Sequence, residues 1–367
     1  MTDPSCRVVE LAPDDDLFPS WCEVWAAAGR DARPATPPRP AQEHVALGRE
    51  LMAQGGSRDG THRAALVDGA VAGALRLLLP LRDNPSLAMV DLAVHPAARR
   101  RGLGSALLAE ARAIAATHGR SLLVSEVDEP GPGAPGRAFA ERHGWSCDLV
   151  ETRRELALPV DEHRLAALEA GAAAAGAGYE IVTWRDRTPD PLLADRALLE
   201  RRMTTDAPYG DLPVGEEEWD GDRIREYEQT HLARGRTVLS AGAVTGGRLV
   251  GFTDLQIPLA QPEFVHQGGT LVLRAHRGHR LGARMKAAVL RELAAGFPEV
   301  RRISTYNSDG NTPMVAVNEE LGFRPAGALS SWSARLRDPL AVGRLGMVEV
   351  AGVLHSRAAR ASGAGCG

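Results

Sequence analysis

Two stretches of this chain carry the residue types that hold anions. One is Arg99-Arg100-Arg101-Gly102-Leu103-Gly104-Ser105, the other Arg277-Gly278-His279-Arg280-Leu281-Gly282-Ala283. Each follows a Val- and Leu-rich run, ending near Val94 and Leu273, and each leads into an apolar pattern of helical period. The first turn of a helix offers unpaired N–H groups and the positive end of the helix dipole. Glycines let the backbone approach a ligand, and arginines add charge. The combination predicts an anion cradle suited to a pyrophosphate. Other phosphate loops fit worse. Neither stretch has the Gly-Lys-Ser/Thr run of a P-loop, and the dinucleotide fingerprint with its later acidic residue is absent. The plain alternative for one such loop is a basic turn without a ligand; two loops in one register argue against it.

Composition narrows the field. The chain has 367 residues, enough for two domains, and a formal net charge of −4. No global basic field argues for nucleic acid. Lys286 is the only lysine, a skew that fits a GC-rich coding sequence. Cys6, Cys22, Cys147 and Cys366 stand far apart, and no Cys/His cluster has zinc spacing. A reduced, cytoplasmic chain without a structural metal is expected. The N-terminus lacks the basic and apolar segments of a leader, and no strongly apolar run is long enough to span a membrane, so no membrane partner is expected. A monomer or homodimer is expected.

The elements that position the loops repeat. Gly104 and Gly282, Gly144 and Gly322, and Gly73 and Gly251 are each separated by 178 residues. Each copy reads as an opening strand, a polar helical region, and two strands around an Asp-Gly or Gly-Gly turn. Then come the strand–loop–helix unit, another strand, a helix running into Gly-Trp or Gly-Phe, and a last strand closing the unit. The expected organisation is a unit at 5–158, a linker at 159–178 with a short helix and a flexible Ala/Gly stretch, and a second unit at 179–338. An extension at 339–367 has a frayed end.

Both units resemble the GNAT superfamily of N-acetyltransferases, whose signature is Gln/Arg-x-x-Gly-x-Gly/Ala at the strand-to-helix turn. Arg99 to Gly104 matches it fully; Arg277 to Gly282 matches at its ends, with Arg280 in place of the first glycine. The second half resembles a tandem group common in actinobacteria. The resemblance implies an α/β (α+β) fold of two tandem domains, each a mixed, mostly antiparallel twisted sheet flanked by helices. It implies acetyl-CoA, or another acyl-CoA, as co-substrate, with its pyrophosphate on the loop residues quoted above. Pantetheine would lie along Leu92 to Val94 and along Leu271, Val272 and Leu273. Arg280 would break the cradle if its position needs positive φ. The preferred reading keeps the loop regular, with Gly278 and Gly282 relieving the backbone and Arg280 offering its guanidinium to a phosphate.

Acetyl transfer to an amine needs a neutral nucleophile, a polarised carbonyl and a proton for the leaving thiolate. The superfamily often places a Tyr four residues before the Gly of Gly-Phe as acid, and an Asn eleven before it as a cofactor contact. In the first half these positions are Ala140 and Gly133, although Asp91 stays on the strand facing the tunnel. That half reads as able to bind CoA but poorly equipped to catalyse. The second half keeps Asn311 and has Asn318 at the Tyr position. An amide can hydrogen-bond to sulfur but gives up no proton, so the acid is unassigned. Candidate bases are Asp254, Glu263 and His266, the last titrating near neutrality; Tyr306 could face the acetyl group. The bland reading of each is a solvated loop or edge residue, or a packed ring. Segment 201–229, with Tyr209, Trp219 and Tyr227, reads as an acidic rim favouring a cationic amine, or as a solvated helix pair. The expected activity is direct transfer from acetyl-CoA to a small-molecule primary amine by the C-terminal half. No cysteine sits in a nucleophile motif. A non-catalytic acyl-CoA sensor and a secondary-metabolite acyltransferase are alternatives. A mycothiol-synthase-like enzyme is a third, set back by Asn318 and Arg280 where that enzyme has Tyr and Gly.

Overall fold

Asp68–Gly69 and Gly246–Gly247 turn the chain with consecutive positive φ values, 51° and 83° in the first pair and 55° and 75° in the second. Two such residues in succession match the twist of a two-residue hairpin. They join β2 (Arg58–Val67) to β3 (Ala70–Pro80) and β8 (Arg236–Thr245) to β9 (Arg248–Pro258). In this computed structural model residues 6–53, 56–131, 133–206 and 210–336 are described. Tyr209 and the extension at 339–367 fall outside the described residues.

In the first half β1 (Cys6–Leu11) pairs with β2, and β4 (Leu87–Val94) with β3, both antiparallel. β5 (Leu122–Glu129) lies parallel to β4. The second half repeats this with β7 (Glu180–Arg185), β10 (Phe264–Val272) and β11 (Arg302–Asn307), the last two parallel. Helices cover both faces because alternate strand residues on each face are apolar. On one face, α1 (Phe18–Ala32) packs Phe18, Trp21 and Val24 against Ala64, Leu66 and Ala74. On the other, α3 (Leu103–Thr117) packs Leu107 and Leu108 against Ala65, Leu75 and Leu77. In the second half α6 (Leu193–Asp206) and α7 (Gly221–Ala233) correspond to α1 and α2 (Ala41–Met52). There α8 (Leu281–Gly296) and α9 (Thr312–Leu321) correspond to α3 and α4 (Pro135–Arg142). No described helix is long and apolar enough to cross a membrane.

The linker forms α5 (Glu162–Ala173), capped by Asp161, whose carboxylate accepts from Arg164 N–H at 2.8 Å. Leu165 and Leu168 bury α5 against Met285 and Leu290 of α8. The following Ala/Gly turn is tied down, since the Gly176 carbonyl accepts from Arg284 at 2.6 Å.

One feature departs from the expectation. The last strand of each half does not close its own half. β6 (Ser146–Ala157) pairs along β11, and β12 (Arg324–Arg335) pairs along β5. β6 and β12 also pair with each other, which makes one sheet of twelve strands in the order β1-β2-β3-β4-β5-β12-β6-β11-β10-β9-β8-β7. The connection from β6 to α5 is short, and α5 is buried on α8, so β6 is held beside the second half's strands. The two halves therefore share one compact unit.

The halves also exchange arms. Residues 33–40 reach the second half, where Arg302 donates to the Ala35 carbonyl at 2.8 Å. Residues 210–220 reach the first half, where Gly215 N–H donates to Asn84 at 2.6 Å and Leu212 and Val214 pack against Leu87, Leu122 and Val124. That arm is no free acidic rim: Glu217 and Asp83 pair with Arg223, and Glu216 lies 3.9 Å from Arg201.

Candidate functional site

The parallel pairs come apart early. β4 and β5 stay paired only to Met89 and Val124, and β10 and β11 only to His266 and Ser304. Past these points the strands diverge, leaving one edge of β4 and one of β10 open to an added strand. β10 also bulges at Gly268–Gly269, between its pairings of Gln267 and Thr270 with β9; β4 pairs with β3 without a shift. A bulge re-aims backbone groups, and bulges concentrate beside active sites.

The two loops share one backbone shape. Arg100 and Gly278 have φ of 67° and 85°; Gly102 and Arg280 have φ of 85° and 53°. Glycine and arginine have exchanged places between the two left-handed positions. Position 280 thus does take positive φ, and an arginine accepts it, contrary to the regular loop expected. Its guanidinium is held by Glu320 at 2.6 and 2.7 Å. Gly282 supplies room instead of left-handed backbone: a Cβ there would meet only Met314 Cε, at 4.0 Å. At Gly104 a Cβ would meet the Phe139 ring at 3.0 Å.

The arginine opening each loop is a brace. Arg99 Nε donates to the Val94 carbonyl at 3.4 Å and pairs with Asp31; Arg277 Nε donates to the Val272 carbonyl at 3.0 Å and pairs with Asp206. Leu103 and Leu281 anchor the helix starts in the core. Leu92 and Val94 pack half-buried on the first core, and Leu271 is buried beside Phe252, so it offers a ligand only its backbone. Ser105 Oγ lies 3.1 Å from His143 Nε2, and its counterpart Ala283 is buried. His279 Nδ1 lies 2.9 Å from the Ala175 carbonyl. Beside the second loop opens a cavity of about 350 Å³ lined by Arg202, Thr205, Asp206, Leu273 and Arg274.

The candidate bases separate sharply. Asp254 is buried and committed: its oxygens accept from Ser240 at 2.7 Å and Arg196 at 2.6 Å. Burial pushes its carboxyl up, and Arg196 opposes this. It is one end of a buried ion pair, not an available base. Glu263 is exposed at the foot of β10, where its carbonyl accepts from Arg301 and Arg302 N–H. His266 is half-buried at the last residue of β10 that pairs with β11, its ring 5.8 Å from that of Tyr306. Burial, then Arg236, Arg33 and Arg39, pushes the imidazole down to about 4, so it is neutral at pH 7. The Tyr306 phenol is pushed up by burial and by Asp128, and lies 3.5 Å from Arg33. The split of the C-terminal half thus holds a neutral imidazole and a phenol under arginines from the other half's arm.

Asn311 caps the start of α9 without a side-chain capping bond. Asn318 is fully buried; its Nδ2 donates to Asn307 at 2.7 Å, and its Oδ1 has no partner. In the first half Asp91 pairs with Arg76 at 2.5 Å, and Ala140 is a core residue. Two residues escaped the sequence reading. Glu126 on β5 has its carboxyl pushed up to about 7, first by desolvation and then by Asp91, Glu151 and Asp128. The alternation Glu126, Asp128 on one strand face was the available signal. The other is Lys286, buried on α8 and pushed down to about 7 by burial. Its signal was a lysine inside an apolar helical pattern.

The residues present suit a CoA-type ligand: an open strand edge, a left-handed loop at a helix start, and a side-chain-free position at Gly282. Comparisons with known proteins agree in kind. The model of the Acetyltransferase (GNAT) family matches residues 23–145 and 199–323. A mycothiol acetyltransferase of Sanguibacter keddieii is 29% identical over 252 residues, covering 67% of this chain and 73% of that protein. Another, of Mycolicibacterium vanbaalenii, is 35% identical over 127 residues, covering 33% of this chain and 40% of that protein's length. Among solved structures, a tandem GNAT protein from the clavulanic acid biosynthesis pathway superposes with a TM-score of 0.73 at 32% identity. It covers 90% of this chain and 98% of that one. With both halves matched and the tandem arrangement shared, the chain belongs to the GNAT family of acetyltransferases, as a tandem two-domain member.

Proposed function

We propose that the C-terminal half binds acetyl-CoA and transfers its acetyl group directly to a small-molecule primary amine. The observation that carries this reading is the bulge in β10 beside an open strand edge, which β4 lacks. Backbone N–H groups at residues 277–283, with Asn311, would hold the pyrophosphate end, and the backbone of Leu271 to Leu273 would take the pantetheine as an added strand. Groups freed at Gly268–Gly269 would polarise the thioester carbonyl. Water would take the amine's surplus proton; His266, neutral at pH 7 but left a weak base by burial and the arginines, would position that water or the amine by accepting a hydrogen bond. Tyr306 would line the acyl end. Arg33, Arg39 and Arg236 outnumber the two carboxylates they pair with, Asp128 and Glu43, and that surplus of positive charge near His266 would favour an acceptor carrying an acid group beside its amine. The acidic segment that the sequence offered as a rim is largely tied up, with Glu217 on Arg223, Glu226 on Arg82 and Glu228 on Arg225, and so lends a cationic acceptor little support.

The relatives named for mycothiol, and the tandem protein from the clavulanic acid pathway, support a small-molecule acceptor, and they keep mycothiol-type and secondary-metabolite chemistry as options. Glu126 supports a second reading in which the N-terminal split also catalyses. The test is CoA release across amines with and without an acid group. Turnover favouring the acid-bearing amines supports the proposal. Tight acetyl-CoA binding with no turnover on any amine returns the acyl-CoA sensor.

A further inference from the structure

We propose that Lys286 is the proton donor to the thiolate released in acetyl transfer, acting from α8 where that helix packs against α9, which carries Asn318. This rests on the reading that the C-terminal half holds acetyl-CoA.

β10 and β11 are parallel, so α8 and α9, which follow them, run back side by side in the same sense. They meet in their first turns, where a Cβ on Gly282 would lie 4.0 Å from Met314 Cε. Four residues further along each helix, on the same face, stand Lys286 and Asn318. The first half shows that these two positions share one environment. Its counterparts, Leu108 and Ala140, are 1% and 6% exposed and lie in a single apolar cluster. In the second half both are polar.

Lys286 is 2% exposed, and no ion pair to a carboxylate is formed by its Nζ among the described residues. Its Nζ lies over the ring of Phe323, 5.7 Å from the ring centre. Asn318 is 0% exposed with Oδ1 unpaired, and its backbone carbonyl accepts from Phe323 N–H at 2.9 Å, so both residues border Phe323. Burying an unpaired amide oxygen and an amine that faces no carboxylate costs stability, and an apolar pair already serves the same positions in the other half. A thiolate reaching the start of the α8–α9 contact would supply the partner.

Burial alone holds the amine down to about 7, with no charged neighbour contributing. An ordinary lysine near 10.4 would keep its proton against a thiolate near 8.5, whereas this one releases it downhill. In the step, the acceptor nitrogen bonds to the acyl carbon and the carbon–sulfur bond breaks with its electron pair on sulfur. The proton passes from Lys286 Nζ to sulfur. The acceptor's surplus proton leaves to water, and solvent reprotonates Lys286. The general acid that Asn318 cannot be is thereby supplied from the facing helix.

The test is kcat against pH for the wild type, Lys286→Leu and Lys286→Arg, with acetyl-CoA affinity measured by calorimetry. Leu is the other half's own residue, so the fold should tolerate it. Because the acid must be protonated, wild-type kcat should fall as pH rises through about 7. Lys286→Leu should lower kcat roughly 100-fold and erase that alkaline limb. It should leave the acetyl-CoA Kd within about twofold, and Lys286→Arg should not restore the rate. A Lys286→Leu enzyme that keeps its rate, or keeps the limb, overturns the assignment. Turnover that survives Gly282→Asp overturns the C-terminal reading itself. Turnover abolished by Gly282→Asp but indifferent to Lys286→Leu overturns the Lys286 role alone.

Discussion

At Arg280 an ordinary L-residue sits in left-handed backbone where the first half has glycine. Such a conformation costs about 1–2 kcal/mol. Glycine would remove that cost but would add about 0.4–1 kcal/mol of chain entropy on unfolding. It would also give up a half-exposed pair with Glu320, worth about 0–1 kcal/mol. Arg280→Gly should therefore move stability by less than about 1 kcal/mol in denaturant unfolding, while Arg280→Val, β-branched and left-handed, should cost about 2 kcal/mol. Asp254 is the contrasting case. Its removal leaves buried Arg196 with Glu200 alone, 2.8 Å away, and strips Ser240 of its acceptor, so Asp254→Ala should destabilise by about 1–3 kcal/mol in the same assay. The sequence placed Asp254 on its strand but could not show its partner, because Arg196 comes from a helix 58 residues earlier. Spacing reveals neighbours on one element and is silent about side chains that meet through tertiary packing.

Among the elements, strands, turns and loop-bearing helices were legible because each has a local cause: alternation, paired turn residues, a helix start after glycine. The β10 bulge was not, although Gly268–Gly269 marked the place, since a Gly pair also serves an ordinary turn. The α1–α2 layer gives an element-scale prediction. His62 and His44 are packed against Trp21, and burial pushes their imidazoles down to about 4 and about 2. Unfolded, both titrate near 6.5. Below that pH the unfolded chain binds protons that the folded chain refuses, so stability should fall as pH drops from about 6.5 towards 4. A urea series should find several kcal/mol lost across that window, and His62→Leu should flatten the slope; a flat wild-type profile would contradict the buried neutral imidazoles.

For the whole molecule, the offset of 178 residues announced two copies. It could not say which copy a strand would pair with, because repeated strands carry nearly the same pattern. The answer lies in α5, whose burial on α8 holds β6 beside β11 and leaves β5 to β12. Each half alone would present an open, partly apolar strand edge. Residues 1–158 and 159–367 expressed separately should each aggregate, and the two co-expressed should assemble into a soluble complex. A monomeric, folded 1–158 fragment would show that the exchange is dispensable. The same arrangement brings Arg33 of one half onto Tyr306 of the other, so the proposed acceptor site needs both copies even if one transfers the acetyl group.

The most direct measurement is turnover with acetyl-CoA in two loop variants, Gly282→Asp and Ser105→Asp. Each sets a carboxylate at the start of one cradle, where the backbone has room: Gly282 faces only Met314 Cε, and Ser105 is exposed. The account predicts that Gly282→Asp abolishes turnover and Ser105→Asp retains it. Loss of turnover with Ser105→Asp and retention with Gly282→Asp would contradict the account and move the chemistry to the N-terminal half and Glu126.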